Sequence, residues 1–347
     1  MGATPIEWTD FSINPLRARL RDRVGHYCEK VSPGCKNCYS SRLQPRFGLP
    51  QFQEQRGNAD VKSFLDETKL HEVLRRRKPT KFFWCDMTDM FGEWVPDEAI
   101  AMCFAAMAAT TWHTHQVLTK RADRLREIVP KLYANDGAML IEAAERLAPQ
   151  IDACHIGEDD WKFPLPNVWL GVSAEDQARA DERIPDLLAT PAAVRFVSAE
   201  PLLGRVNLER VLWTQCERCG GSCSVPVPGG GRPCPACLEH QGFQRGGLDW
   251  VIVGGESGQQ ARQCDIAWIR SLVEQCRSAG VAAFVKQLGA KPVPLKPMRL
   301  PSWNASTGKP HRGWIDDTHH ALSDSKGGEI TEWPEDLRVR EFPEAHP

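Results

Sequence analysis

The sequence predicts an α/β protein whose parallel strands form a (β/α) partial TIM-type barrel carrying a small zinc-ribbon-like insertion. Three observations predict it. Short apolar segments rich in β-branched and aromatic residues alternate with helix-like stretches. Each such segment runs into polar residues, and a segment rich in cysteine and glycine interrupts the alternation late in the chain.

In order, the predicted strands are Lys81–Cys85, Gln116–Leu118, Val168–Val172, Val194–Val197, Trp250–Val253 and Ala282–Val285. Each is too short to be a helix crossing a core. They are followed by Asp86-Met87-Thr88-Asp89, Thr119-Lys120-Arg121, Ser173-Ala174-Glu175, Ser198-Ala199-Glu200, Gly254-Gly255-Glu256-Ser257 and Lys286-Gln287. Loops at the C-terminal edge of a parallel sheet build its active site, so this recurrence of polar residues locates a site without any motif. Between the strands, Asp97 precedes the Ala-rich Glu98–Ala109, Ala122–Tyr133 carries alternating charges, and Glu175–Leu188 repeats apolar residues at helical intervals. Asp265–Ala279 stops at Gly280, a natural C-cap. The Pro-bounded stretch Pro149–Pro166 reads as a connection between two halves of the sheet. The expected plan is a first barrel part over 1–210, the insertion over 211–247, the last barrel part over 248–290 and a covering tail over 291–347.

At 347 residues, 41% hydrophobic and 25% charged, the chain can bury one large core with a small satellite. A net charge of −2 argues against a wholly basic nucleic-acid coat, yet leaves room for a local basic groove. No apolar run reaches the roughly 18 residues of a membrane span, and Met1–Asp10 lacks a signal-peptide layout, so a cytoplasmic location is expected. Thirteen cysteines in a long chain without an export signal read as reduced thiols. They cluster, as metal ligation requires.

Cys28, Cys35 and Cys38 form a C-x6-C-x2-C pattern, and the Pro33-Gly34 turn lets the loop bring Cys28 round to the other two. Three is the telling number. A structural zinc site wants four ligands, whereas a four-iron four-sulfur (4Fe-4S) cluster on three thiolates leaves one iron open. An open iron suits chelation of S-adenosylmethionine and reductive cleavage to a 5′-deoxyadenosyl radical. The rival reading is a zinc knot completed by His26, Cys85 or another distant residue.

A second group, Cys216, Cys219, Cys234 and Cys237, makes two C-x2-C knuckles separated by fourteen residues, the layout of a zinc ribbon. Zinc would fold a segment this poor in apolar residues, either as a structural staple or as a nucleic-acid contact. Cys223 is a fifth thiol whose part the spacing leaves open.

Seven ordered stretches carry a family resemblance: Ile6-Glu7-Trp8-Thr9-Asp10 with Asn14-Pro15; Val31-Ser32-Pro33-Gly34-Cys35 through Cys38-Tyr39; Asp86-Met87-Thr88-Asp89-Met90-Phe91; Leu118-Thr119-Lys120-Arg121; Val168-Trp169-Leu170-Gly171-Val172-Ser173; Ser198-Ala199-Glu200-Pro201-Leu202; and Val251 to Gly258. They make the chain resemble a phage-associated family with a three-cysteine motif, regarded as radical S-adenosylmethionine-like, in which a long first cysteine gap is usual. Its nearest mechanistic relatives are the spore photoproduct lyase type of DNA-repair enzymes, an analogy at the level of the fold alone.

The resemblance implies a contact from Lys120 to the cofactor carboxylate, and the need for polar ribose contacts points to Ser173 and Glu175. Asp86, Thr88 and Asp89 are expected near the cofactor amine, although Asp86 and Asp89 also suit a helix N-cap and a core-edge hydrogen-bonder. Glu256, in Gly254-Gly255-Glu256, is expected on the site rim. The implied activity is modification or repair of a nucleobase in DNA or RNA, with an external electron donor and room for a partner protein. The alternatives are a zinc-dependent nucleic-acid-binding protein without enzymatic activity and an iron–sulfur redox or sensor protein. Trp84, Trp112, Trp169, Trp213, Trp250 and Trp268 are expected to pack the core, and Cys85, Cys264 and Cys276 to be buried.

Overall fold

A computed structural model of the chain describes residues 2–43, 48, 60–147, 161–215, 224–227, 230–233, 243–245, 247–293, 322 and 324–344. Its centre is an eight-stranded sheet in which spatial order follows chain order: β1 Gly2–Ala3, β2 Phe11–Ile13, β3 Lys81–Trp84, β4 Thr114–Thr119, β5 Val168–Ser173, β6 Val194–Ala199, β7 Trp250–Gly254 and β8 Ala282–Gln287. Only β1 is antiparallel; β2 through β8 pair in parallel. The sheet curls into a half-barrel. Strands covered on both faces have no solvent side to reserve for polar residues, which is why Val168–Ser173 and Trp250–Gly254 are buried throughout.

The longer helices among the described residues are α1 Glu67–Arg75, α2 Asp97–Ala108, α3 Ala122–Tyr133, α4 Ala138–Leu147, α5 Gln177–Ala189 and α6 Ile266–Ala279. Their apolar stripes bury against one face of the sheet in the main core. In α2 every residue from Ala99 to Ala108 is buried, which explains a composition with no polar side. α5 begins two residues later than the sequence pattern suggests, because Asp176 caps it by accepting from Arg179 N at 2.9 Å. α6 is capped by Asp265, which accepts from Ala267 N at 2.8 Å, and stops at Gly280 with φ 64°.

The concave face holds a separate aromatic cluster of Trp8, Phe83, Trp169, Phe196, Trp250 and Phe284. Side chains alternate along a strand, so Trp169, Gly171 and Ser173 share this face, as do Phe196 and Ser198, and Phe284 and Lys286. The face is therefore apolar low in the half-barrel and polar toward the C-terminal strand ends. A Cβ on Gly171 would lie 2.5 Å from the Phe196 ring, so the glycine makes room for that ring. Trp84 lies in the main core and Trp169 and Trp250 in the aromatic cluster, while Trp268 packs against the main core and Trp112 donates to Arg76 O at 3.0 Å. The side chain of Trp213 is outside the described residues. Cys85, Cys264 and Cys276 are buried.

Between β2 and α1 lies a three-stranded antiparallel sheet, Leu16–Leu20, Arg23–Gly25 and Lys62–Leu65, which the sequence pattern does not foretell. Within the 211–247 segment, Trp213–Gln215 pairs with Phe243–Arg245 and Ser224–Val227 with Gly230–Pro233, both antiparallel. Cys216, Cys219, Cys223, Cys234 and Cys237 lie outside the described residues, as does most of the 149–166 connection. Near the C-terminus, 324–344 runs along β8: Leu288 N donates to Gly327 O at 2.9 Å and Val285 N to Val339 O at 2.8 Å. Phe342 packs against Trp250, tilted, and against Phe284, edge to face, with ring centroids 5.3 and 5.4 Å away. No helix among the described residues is long and apolar enough to cross a membrane.

Candidate functional site

The antiparallel strand Arg23–Gly25 delivers the chain to Cys28, and a 3-10 turn over Pro33–Cys35 closes with Cys35 N donating to Ser32 O at 2.9 Å. Cys38 N donates to Cys35 O at 3.3 Å, and the short helix Tyr39–Leu43 follows. This loop is fastened to strand ends across the half-barrel. After β3, Tyr39 Oη donates to Asp86 O at 2.6 Å, Ser40 Oγ to Met87 O at 2.9 Å, and Thr88 Oγ1 to Tyr27 O. After β5, Glu175 Oε1 accepts from Gly34 N at 2.8 Å. Beyond β7, Glu256 accepts from Asn37 Nδ2 at 3.0 Å and Arg262 Nη1 donates to Pro33 O at 2.9 Å.

Beneath the loop is a cavity of about 260 Å3, lined in part by Cys28, Cys35 and Cys38. The same cavity gathers Asp86, Thr88, Asp89, Lys120, Ser173 and Glu256. Burial pushes the Cys28 thiol up to about 12, with Asp89 adding to the effect and Arg121 opposing it; burial also raises Cys38. Cys28 is within electrostatic reach of both Cys35 and Cys38, and Cys38 of Cys35. Cys28 and Cys38 thus resist ionisation, and a bound cation is what would make them thiolates. Among the described residues, no three of the His, Cys, Asp and Glu side chains converge closely enough to share a single metal ion. His26 turns away, its Nδ1 3.2 Å from Leu16 O, while Cys85 is a buried wall of the cavity at φ 62°.

The acidic residues differ in how free they are. Asp89 is held on both oxygens, accepting from Thr119 Oγ1 at 2.6 Å, Lys120 N at 2.9 Å and Arg121 Nη1 at 3.1 Å. It fastens the β3 end to the β4 end. Asp86 accepts from Asn14 Nδ2 and from Tyr39 Oη, the latter at 2.9 Å. Glu256 sits on the rim in an ion pair with Arg262, Nη2 to Oε1 at 2.6 Å. Glu175, expected at the ribose, instead is fully buried outside the cavity lining and pairs with Arg183 at 3.2 Å. Burial works to raise its pKa, but Lys120, Ser32, Arg183 and the Gly34 N–H together hold it below the ordinary carboxylate value. Lys120 faces Cys38 and Glu175 electrostatically, and no hydrogen bond of its ammonium occurs among the described residues. Ser173 ends β5 as a buried wall of the cavity.

Residues 3–318 match the family model described as a protein of unknown function, DUF5131. The chain belongs to that family. No curated protein and no solved structure matches it. In this DUF5131 chain, strand-end polarity points to the cavity, but it does not reveal how the strand-end residues Arg121, Glu200 and Lys286 are partnered. Arg121 joins Asp89 and lies over the Trp94 ring at 4.5 Å. Glu200 and Lys286 face each other at 3.4 Å. The alternation of Phe284 with Lys286 is the signal that would have turned that lysine inward.

Proposed function

We propose that this DUF5131 protein is a radical S-adenosylmethionine enzyme whose 4Fe-4S cluster is held by Cys28, Cys35 and Cys38. The observation that carries this reading is the gathering of the three thiols on one cavity at the C-terminal strand ends of a parallel half-barrel. Their arrangement suits the donor set. The thiols lie within electrostatic reach of one another, and three thiolates suit a cluster with one open iron where a structural zinc site wants four ligands. When bound, the cluster supplies the electron that cleaves S-adenosylmethionine and so starts hydrogen abstraction.

The chain's own residues then bind and orient. Lys120, whose ammonium makes no hydrogen bond among the described residues, takes the cofactor carboxylate. Ser173 offers a hydroxyl to the ribose. Asp86 and Thr88 lie on the side suited to the amine, whereas Asp89, Glu175 and Glu256 hold the walls and the cysteine loop in place. Trp8, Phe83 and Leu118 form the apolar floor that keeps water from the reacting atoms.

The resemblance to the phage-associated three-cysteine family supports a nucleobase of DNA or RNA as substrate in the cytoplasm, with an external electron donor. The half-barrel would be a (β/α) partial TIM-type barrel in that lineage. Cys216, Cys219, Cys234 and Cys237 would hold zinc in a ribbon-like insertion. Anaerobic reconstitution tests the reading. It expects brown protein with iron and acid-labile sulfide, lost in Cys35→Ala, and dithionite-dependent 5′-deoxyadenosine. A full, reducible cluster that yields no 5′-deoxyadenosine would overturn it.

A further inference from the structure

The polar tier of the concave face contains one acceptor that the protein leaves open. Ser198 Oγ donates to Glu200 Oε2 at 3.2 Å, whereas Glu200 Oε1 is buried and accepts no hydrogen bond among the described residues. Lys286 Nζ stands 3.4 Å from that same oxygen. Gly254 leaves space for it, since a Cβ there would come within 2.8 Å of Oε1. Both side chains are largely shielded, 22% exposed for Lys286 and 13% for Glu200, and both line the cavity that holds the cysteines. Neither is needed to fasten the cysteine loop, whose hydrogen bonds go to Asp86, Met87, Glu175 and Glu256.

A buried carboxylate oxygen without a donor and an ammonium beside it call for a ligand that supplies one donor and one acceptor side by side. The pair is neutral in sum, so an uncharged ligand leaves its balance intact. The same cavity has aromatic walls: the Trp8 and Phe83 rings, tilted 59° to each other with centroids 4.7 Å apart, both line it. Aromatic walls with a few convergent polar atoms are how a site selects a ring and fixes its orientation.

We propose that Glu200 and Lys286 are the specificity-determining pair of a subsite for a flat, uncharged heterocycle carrying an N–H beside a carbonyl. This is the imide or lactam edge found in uracil, thymine, hypoxanthine and guanine. The ring N–H donates to Glu200 Oε1, and the Lys286 ammonium donates to the adjacent carbonyl oxygen. The subsite rests on the reading above for what is done to the ring, but recognition itself needs neither cluster nor cofactor.

Full-length protein is titrated with uridine and with 3-methyluridine, which lacks the N–H, following saturation-transfer signals and heat. A second arm uses a single-stranded uridine oligonucleotide and its 3-methyluridine counterpart, to separate a free nucleoside from a base within a strand. The expected result is saturable binding in at least one arm, weakened about tenfold or more by the methyl group, as when a site's polar group loses its partner. Glu200→Leu, which removes the acceptor, and Lys286→Met, with unchanged melting temperature, should abolish that discrimination. Equal binding of methylated and unmethylated ligands, or no saturable binding by folded protein in either arm, would overturn the subsite. Continued 5′-deoxyadenosine formation alongside such a failure sinks the subsite alone. Intact discrimination without 5′-deoxyadenosine sinks the cofactor reading alone.

Discussion

Gly34 N donates to Glu175 Oε1 at 2.8 Å, joining the turn between two of the three loop cysteines to the end of a strand 141 residues away. The other oxygen of Glu175 meets Arg183 Nη1 at 3.2 Å, and Arg183 also donates to Ser173 O at 2.8 Å. One buried carboxylate thus couples the cysteine loop to the β5 end and the first turns of α5. The position of Cys35 over the cavity depends on residues that touch no thiol.

Gly34→Ala should therefore damage the loop more than the fold. A Cβ at this position would come 2.9 Å from both Cδ and Oε1 of Glu175, and a buried acid held by Arg183 has little room to retreat. We expect thermal unfolding to shift only modestly while iron content after anaerobic reconstitution drops severalfold. Glu175→Gln should damage the fold as well as the loop. It leaves the Arg183 guanidinium, 3% exposed, without its counter-charge, a loss of about 3–5 kcal/mol readable by urea titration.

The sheet was largely legible from local pattern, and the couplings within the site were not. Apolar runs with β-branched and aromatic residues mark β3 to β8, and α3 spans Ala122–Tyr133 as its charge alternation indicates. β4 to β8 run one to three residues further than their apolar stretches, because polar strand ends still pair in the ladder, as Ser173 does with Ser198, whereas β3 stops at Trp84, one residue short of the expected Cys85. Phe11–Ile13 is too short to announce itself; its strand character comes from lying beside Phe82, Phe83 and Trp84. Glu175 reads in sequence as one more polar strand end. Its fate is decided by Gly34 and Arg183, and pairings across such separations leave no periodic trace.

Gly171→Ala should cost stability without touching the cavity chemistry. The glycine lies on the concave face beside the Phe196 ring, and the new methyl would overlap carbon atoms at 2.5 Å. Phe196 is itself packed against Trp8 and Trp250, with centroids 6.5 and 5.6 Å away, so the ring cannot simply turn. Overpacking of this kind costs about 1–3 kcal/mol. Differential scanning calorimetry would show it, and an unchanged melting temperature would count against the packing described for the aromatic tier.

A buried histidine should give the protein an acid-sensitive core. Trp84 Nε1 donates to His115 Nδ1 at 3.0 Å, which places the proton of the neutral ring on Nε2, 3.0 Å from Thr110 Oγ1. Thr110 Oγ1 in turn donates to Ala106 O at 2.7 Å. Burial, aided by neighbouring His113, pushes His115 down to about 3 from 6.5. The unfolded chain therefore binds the extra proton first, so this contribution is complete above about pH 6.5 and fades as the pH falls toward 3. His115→Phe should lower stability at neutral pH by about 1–3 kcal/mol, because the Trp84 donor loses its partner, yet flatten the acid limb of the stability profile. Urea midpoints measured across that pH range test both parts; an acid limb as steep as in the parent chain would refute the assignment.

The cysteine loop should loosen on acidification before the rest of the fold if its two carboxylate anchors behave as their surroundings dictate. For Glu256, burial acts to raise the pKa, but hydrogen bonds from Arg262 and Asn37 and the charge of Arg262 hold it below the ordinary 4.5; Glu175 is held below it as well. Acids depressed in the folded state stabilise it fully above the unfolded value and release that stability as the pH drops through the folded one. Loop attachment should thus be intact at pH 5 or so and fail below the usual carboxylate range. Amide exchange over residues 28–38 reports it directly, with protection lost there while β5 and β7 amides remain protected. Glu256→Gln should move the onset little, since Arg262, 27% exposed, can be rescued by water, whereas Glu175→Gln should release the loop already at neutral pH. Simultaneous loss of protection in loop and strands would instead mean that Gly34 and Asn37 contribute no separate attachment.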